Sequence, residues 1–260
     1  NEEMADIFEQ WNNGRLKSYL IEITAKILRK KDDATGKNIV DVILDEAGQK
    51  GTGKWTGMEA LDMGVAAPTI TESVYTRCLS ARKEERIQAS QKYKVSKIKN
   101  NVGKKEFIED LEQAVYASKI ISYAQGFALL KEASSEYHWD LDYGNIALLW
   151  REGCIIRAQF LDTIKQAYTE NKDLDNLLTA DVFIDDLQKA ELSFRKVVVI
   201  AAENGLYIPS MANSLLYFDG YRSVHLPANL LQAQRDWFGA HTYHRIDRPI
   251  TEAFHTHWEE

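Results

Sequence analysis

Apolar side chains recur at helical spacing along most of this chain, and that periodicity limits the folds it can adopt. Steps of three to five residues run through 3–30, 105–133, 146–168, 180–204 and 226–238. Such spacing places the apolar groups on one face of an α-helix, whereas a half-buried strand needs an alternating pattern that no stretch here sustains. The β-branched patch at 197–200 has helical flanks and is interpreted as buried helix. The sequence therefore predicts an all-α fold.

The chain divides, on its sequence, into one long helical domain and a short tail. Expected helix starts or breaks are marked by the four prolines, at positions 68, 209, 227 and 249. We expect the helical domain over residues 1–240 and a C-terminal tail over 241–260. The tail is too polar to fold alone, and its spaced aromatic residues Tyr243, Phe254 and Trp258 predict that it crosses to a partner subunit. The alternative is a frayed terminus.

A segment near the start of the chain occurs a second time, 139 positions further on. The matching residues are Ile7, Trp11, Gly14, Thr24 and Lys26, which recur as Ile146, Trp150, Gly153, Thr163 and Lys165. Such self-similarity predicts two similar helical units. The second copy follows the long helical pattern at 105–133, whereas the first copy has no such helix before it. We therefore expect the first unit to be incomplete at its N-terminus.

Composition argues against several classes of partner. The net charge of −7 disfavours a general basic surface for nucleic acid or anionic lipid, although it permits a local cationic pocket. No apolar run approaches the roughly 20 residues that a membrane helix needs, and the first residues do not have the pattern of a signal peptide. Cys78 and Cys154 are too few for a disulfide framework and fit a reducing cytosol. We expect a cytoplasmic protein with no nucleic-acid or membrane partner.

The segment 45–56 is rich in glycine, lysine and threonine. Its three closely spaced glycines let backbone N–H groups turn toward a ligand, and its lysines and threonines add cationic and hydroxyl donors. This combination suits an anion such as phosphate. It is not a nucleotide P-loop, because the spacing of that motif and the apolar strand before it are both missing. The alternative is an exposed polar turn between helices.

Arginines follow in the next predicted helices. Arg77 lies in an otherwise apolar helical stretch, where an arginine is either a surface residue with a buried stem or a ligand contact. Arg82 and Arg86 stand among a lysine and two glutamates, and they are interpreted as a solvated charged face.

A predicted helix near the end carries one arginine and is followed by a histidine. Pro227 fits its first turn and Gly239 fits its C-terminal stop. Arg235 and His241 then flank the end of the helix, where both can reach one anion. In the alternative, Arg235 pairs with Asp236 or a neighbouring glutamate, and His241 caps backbone carbonyls.

Other catalytic motifs are weak. His255 and His257 lack a third clustered ligand, so structural or solvent roles are favoured over a metal. No nucleophile with a base beside it is identifiable, and no glycine-rich dinucleotide motif follows a strand. We therefore expect no metal site, no dinucleotide site and no catalytic residue within this chain.

Four segments, in order along the chain, resemble the signatures of the 6-phosphogluconate dehydrogenase family. They are Gln-Lys-Gly-Thr-Gly-Lys-Trp-Thr at 49–56, Ile-Ile-Ser-Tyr-Ala-Gln-Gly-Phe at 120–127, the stretch from Trp150 to Arg157, and the stretch from Gln232 to Tyr243. Together these segments span nearly the whole chain.

The resemblance implies a homodimeric, NADP-dependent enzyme of the pentose phosphate pathway and gluconate utilization. Such an enzyme oxidises and decarboxylates 6-phosphogluconate to ribulose 5-phosphate. The resemblance also implies that Lys50, Thr52 and Arg77 bind the substrate, chiefly its phosphate. Arg235 and His241 would reach the same site from the other subunit. A phosphate dianion in a low-dielectric pocket favours several charge-assisted hydrogen bonds, so this set is physically sensible.

The sequence departs from the family's pattern at its front. The family's Rossmann domain, which binds NADP, and the long helix with its lysine base and glutamate acid have no counterpart here. We therefore expect the base, the acid and most NADP contacts to lie upstream, and this chain alone to be inactive. The alternative is a helical phosphosugar-binding or structural module without its own catalysis. The five retained phosphate-facing groups favour the enzyme.

Overall fold

The computed structural model of the chain describes residues 1–98, 102–151 and 153–258. The α-helices in these ranges are α1 (Glu2–Asn12), α2 (Tyr19–Arg29), α3 (Thr52–Asp62), α4 (Pro68–Ser80), α5 (Lys83–Lys92), α6 (Lys104–Glu136), α7 (Tyr143–Leu149), α8 (Phe160–Glu170), α9 (Asp181–Glu203), α10 (Pro209–Tyr221) and α11 (Ala228–Gly239). Two short 3-10 helices lie at Ile39–Asp41 and Leu177–Thr179. The described ranges contain isolated bridges but no β-strand. The predicted all-α fold is confirmed.

The chain forms two compact units, Asn1–Leu216 and Tyr217–Glu260. Their boundary falls within α10, earlier than the 240/241 boundary expected from the sequence. The second unit therefore holds α11 together with the tail. In the part of the chain that the structure describes, no helix has the length and apolar character that crossing a bilayer requires.

Two of the predicted helical stretches are each broken in the middle. Residues 3–30 form α1 and α2, and residues 146–168 form α7 and α8. At the first break Ser18 takes an extended conformation and its side chain accepts a hydrogen bond from Ile21 N, which caps α2. The apolar spacing continues across both turns, so periodicity alone did not locate them.

The two copies of the sequence repeat correspond to these two helix pairs. Within each pair the helices pack together, and the turns that join them meet at an isolated antiparallel bridge between Ser18 and Ala158. Tyr19 N donates to Arg157 O at 3.1 Å, and Gln159 N donates to Lys17 O at 3.3 Å. The prediction of two similar helical units is therefore confirmed, with equivalent turns of the two units lying side by side.

The long helix α6 forms the centre of the first unit. It packs along α9 and contributes buried residues through most of its length, including Ile120, Ile121 and Phe127. Aromatic rings from α6, α8 and α9 meet edge-on or tilted, with ring centroids about 5 Å apart, as such rings prefer. This core makes α6 the element against which the others are placed.

A buried polar network joins α6 to the start of α4 and to α10. Gln125 is fully buried; its Oε1 accepts from Thr69 N at 3.0 Å and its Nε2 donates to Thr69 Oγ1 at 2.9 Å. Thr69 Oγ1 lies 3.0 Å from Ser214 Oγ, and Ser214 Oγ donates to Ser210 O at 2.8 Å. Each polar group named in this network thus has a partner, and the network fixes the start of α4 on α6.

Replacing Gln125 by leucine should test how strongly this network holds the unit. Leucine fills similar space but leaves Thr69 N–H without its acceptor, so we expect the free energy of unfolding to fall by about 1–3 kcal/mol. Chemical denaturation measures the loss. Gln166→Leu is the control, because Gln166 is exposed on α8 and bonds only Glu170 of its own helix among the contacts described. Equal losses in the two variants would contradict a structural role for the buried amide.

Candidate functional site

The start of α3 combines a helix N-terminus, which no described side chain caps, with a lysine just before it. Gly51, the residue before the helix, has φ 103°, a left-handed conformation that favours glycine. Trp55 N donates to Gly51 O at 2.9 Å, so the N–H groups of the preceding first-turn residues lie at the open end of the helix. No acidic residue occupies this first turn, and Lys50 precedes it. A helix N-terminus with its partial positive charge, beside a lysine, suits phosphate.

Close packing of α3 on α4 depends on glycine at two positions one helical turn apart. A Cβ added at Gly53 would lie 2.9 Å from Val74 Cγ2, and one added at Gly57 would lie 3.3 Å from Thr71 Oγ1. The absence of side chains therefore lets α4 approach α3 closely. Gly53 was expected to turn the backbone toward a ligand, but it lies inside α3 and serves the helix contact instead.

Arg77 lies on α4 and contacts the loop before α3. Its Nη1 donates to Gly48 O at 2.7 Å, two residues before Lys50. Arg77 is exposed, as expected of a surface residue. Its guanidinium nevertheless contacts the glycine-rich loop and has further N–H groups that can donate to a ligand. The first unit thus places Arg77 against the loop that carries Lys50 and leads into Thr52 at the start of α3.

One of the two arginines assigned to a solvated face, Arg86, is bound to this loop together with Lys83. Lys83 and Arg86, at the start of α5, both donate to the carboxylate of Asp45. Hydrogen bonds from Lys83 and then Arg86 lower the pKa of Asp45 to about 2. For Arg86 the interpretation was wrong, because a run of mixed charges in sequence does not reveal a partner 41 positions away.

In the second unit, Arg235 and His241 lie near the same end of α11. Arg235 Nη1 donates to Gln232 Oε1 at 3.3 Å, so it pairs with neither Asp236 nor a glutamate among the contacts described. Ala240 and Thr242 on either side of His241 both have positive φ, 48° and 59°. Such conformations are costly outside glycine and persist only where the surroundings fix them.

Gly239 makes room for the imidazole of His241. A Cβ added at Gly239 would lie 2.7 Å from both Cδ2 and Nε2 of that ring. On another side the ring meets Phe238 edge-on, with centroids 6.0 Å apart. The turn after α11 therefore holds His241 in a defined orientation at the surface of the unit.

Asp236 explains why this turn is fixed. It is fully buried, and its carboxylate accepts hydrogen bonds from Thr242 N, His255 Nδ1, Thr256 N and Trp258 Nε1 at 2.9–3.1 Å. Burial acts to raise the pKa of Asp236, but these hydrogen bonds outweigh it and lower the pKa to about 2. Sequence reasoning named Asp236 only as an optional partner for Arg235.

The described part of the tail folds back on α11 of its own chain. Tyr243 and Phe254 exchange backbone hydrogen bonds at 2.9 and 2.8 Å, and the ring of Trp258 lies 5.9 Å from that of Trp237. His255 is engaged by Asp236, which is a structural role. The described residues contain no group of three potential metal ligands. The expected crossing of the tail to a partner subunit stays a prediction.

Comparison with known proteins adds an independent finding. Residues 1–258 match the family model described as 6-phosphogluconate dehydrogenase, C-terminal domain. The chain belongs to this family.

Curated relatives are similar over almost the whole chain. A Bacillus subtilis protein described as 6-phosphogluconate dehydrogenase, NADP(+)-dependent, decarboxylating, is 53% identical over 258 residues, which cover 99% of this chain and 55% of that protein. A Mus musculus 6-phosphogluconate dehydrogenase, decarboxylating, is 52% identical over 259 residues, or 99% of this chain and 53% of the relative. The chain thus spans about half the length of the curated relatives it matches.

A solved structure extends the similarity to the fold. It is that of Plasmodium falciparum 6-phosphogluconate dehydrogenase, described in its apo form and in complex with NADP+ or with its substrate 6-phosphogluconate. The TM-score is 0.95 at 47% identity, covering 99% of this chain and 55% of that one. The resemblance stated from the four sequence motifs is therefore confirmed.

Gly53→Ala tests the contact that places the anion site. The added methyl group must displace Val74, so we expect the free energy of unfolding to fall by about 1 kcal/mol or more, even though alanine favours a helix. Gly126→Ala is the matched control, because a Cβ added at that helical glycine would meet only Ile70 Cδ1, at 4.0 Å. It should raise stability by up to about 1 kcal/mol.

The partner of the clash can be tested in the same denaturation series. Adding Val74→Ala to Gly53→Ala removes the opposing methyl group, so the double variant should lose less than the sum of the single losses. Additive losses would show that Gly53 does not act through Val74.

Proposed function

We propose that this chain is the substrate-binding and dimerisation part of an NADP-dependent, decarboxylating 6-phosphogluconate dehydrogenase. The intact enzyme oxidises 6-phosphogluconate and releases CO2 to give ribulose 5-phosphate. The observation that carries the proposal is the group of hydrogen-bond donors at the start of α3, within a chain of this family. A helix N-terminus, Lys50, Thr52 and Arg77 supply the donors that a sugar phosphate needs.

Each of the three proposed substrate-binding residues in the first unit has a distinct role. Lys50 supplies a mobile positive charge, and Thr52 a hydroxyl donor on the first turn of α3. Arg77 keeps one N–H on Gly48 and offers its other donors to the phosphate. The proposal assigns binding and orientation to these residues, and no proton transfer.

The second subunit completes the site in this proposal. Arg235 and His241 stand on a turn that Asp236 fixes, and they act on the substrate of the partner subunit. The homodimer is further supported by apolar side chains exposed on α11, among them Leu230, Trp237 and Phe238. A paired surface removes such groups from water.

Hydride transfer and the catalytic acid and base are assigned to a part of the enzyme outside this chain. The described residues contain no β-strand, and so no strand-based dinucleotide fold to hold NADP. NADP, when bound elsewhere, accepts the hydride. We propose that the enzyme works in the cytoplasm, where the free thiols of Cys78 and Cys154 stay reduced.

Arg235→Ala in the intact enzyme should raise KM for 6-phosphogluconate strongly. Loss of a charge-assisted hydrogen bond of about 1.5–3 kcal/mol corresponds to a rise of roughly 10- to 150-fold, with folding intact. Steady-state kinetics and thermal unfolding measure the two effects. Arg248→Ala is the control, because Arg248 is another exposed arginine of the same unit. A comparable KM in both variants would contradict the role of Arg235.

Mixed dimers test whether the site is shared between subunits. One inactive parent carries Lys50→Ala with Thr52→Ala, and the other carries Arg235→Ala with His241→Ala. A heterodimer then holds one wholly intact site and should recover about half of the wild-type activity, given two equivalent sites. Verified heterodimers that stay inactive would place all five residues in a site within one subunit.

A further inference from the structure

The loop before α3 is exposed at every residue from 42 to 50, yet it is tied to two helices. The carboxylate of Asp45 accepts from Lys83 Nζ and, at 3.0 Å, from Arg86 Nη1. Arg86 Nη2 also donates to Asp45 O at 3.2 Å and to Ser80 O at 3.0 Å. One guanidinium therefore joins the loop, the end of α4 and the first turn of α5.

The attachment continues along the loop toward Lys50. Ala47 N donates to Ser80 Oγ at 2.9 Å, and Arg77 Nη1 donates to Gly48 O at 2.7 Å. Lys50 follows only two residues after Gly48, a stretch of chain that reaches about 7 Å when fully extended. Fixing the loop at these points therefore restricts where the Lys50 backbone can lie.

Among the contacts of the described residues, Asp45 is the carboxylate that Lys83 and Arg86 share, and without it these two cations would repel each other. Its side chain is half exposed, whereas only 31% of the Arg86 side chain is. Hydrogen bonds from Lys83 and Arg86 stabilise the ionised carboxylate of Asp45 and lower its pKa to about 2. Without this carboxylate, Lys83 would lose its acceptor and Arg86 would keep only backbone carbonyls among the contacts described.

We propose that Asp45 is a positioning residue, which Lys83 and Arg86 hold so that the loop presents Lys50 to the phosphate of the substrate. The inference rests on the proposed function, because it concerns the same phosphate site. Asp45 is itself an anion and does not bind the phosphate; it acts through the loop. Because the loop is already ordered, it loses less conformational entropy when the substrate binds.

Asp45→Asn in the intact enzyme tests the inference. We expect KM for 6-phosphogluconate to rise roughly tenfold while kcat stays within about twofold, because a displaced Lys50 weakens binding of substrate and transition state alike. Asp45→Glu keeps the carboxylate and should restore most of the affinity. Amide hydrogen exchange at Ala47 should quicken in Asp45→Asn and stay near wild type in Asp45→Glu.

Two further variants separate the effect of the Asp45 contacts from general effects of charge. Asp175→Asn is the matched control, an exposed carboxylate that accepts from Lys131 at 2.8 Å outside the loop, and it should leave KM unchanged. Arg86→Met acts on the same contact as Asp45→Asn, so the double variant should raise KM little beyond the larger single effect.

A wild-type KM in Asp45→Asn, or a lower kcat without a raised KM, would overturn the inference while leaving the proposed function intact. A wild-type enzyme that does not act on 6-phosphogluconate would instead overturn the proposed function. In that case the exchange at Ala47 would still report whether Asp45 orders the loop.

Discussion

Gln125 lies fully buried in the middle of α6, and its amide must find hydrogen-bond partners inside the protein. It finds them at Thr69, the second residue of α4, so the start of α4 is fixed on the central helix. From there α4 extends to Arg77, and its side packs against α3 through Gly53. The residues proposed to bind phosphate are thus placed by the core, although each of their own donors is exposed.

Water and salt screen each exposed charge, so a single exposed cation binds phosphate weakly. Several cations bind it better when they are already held in place, because less entropy is then lost on binding. In each unit a carboxylate holds the turn that carries the cations proposed to bind phosphate. Asp45 is bound by Lys83 and Arg86 behind the loop of the first unit. Asp236 is buried beneath the turn of the second and joins it to the tail. In both cases hydrogen bonds stabilise the ionised carboxylate and lower its pKa to about 2.

Helical periodicity was enough to predict the fold class and the long helices α6 and α9, because the residues of a buried apolar stripe are close together in the sequence. It was not enough to find the turns at Ser18 and Ala158, where the apolar spacing continues although the backbone turns. The proposed site residues were named through motif resemblance, whereas the residues that support them were missed. Arg86 bonds a residue 41 positions away, and the role of Gly53 depends on a neighbour in the next helix. Such partners are decided by tertiary packing, which a single sequence does not display.

The most direct measurement is a crystal structure of the intact dimer with 6-phosphogluconate bound. We expect phosphate oxygens within hydrogen-bond distance of Lys50 Nζ and Thr52 Oγ1 at the start of α3 in one subunit. We also expect the guanidinium of Arg235 at the same phosphate to come from the partner chain. A phosphate bound away from the start of α3, or met there by Arg235 of its own chain, would contradict the account.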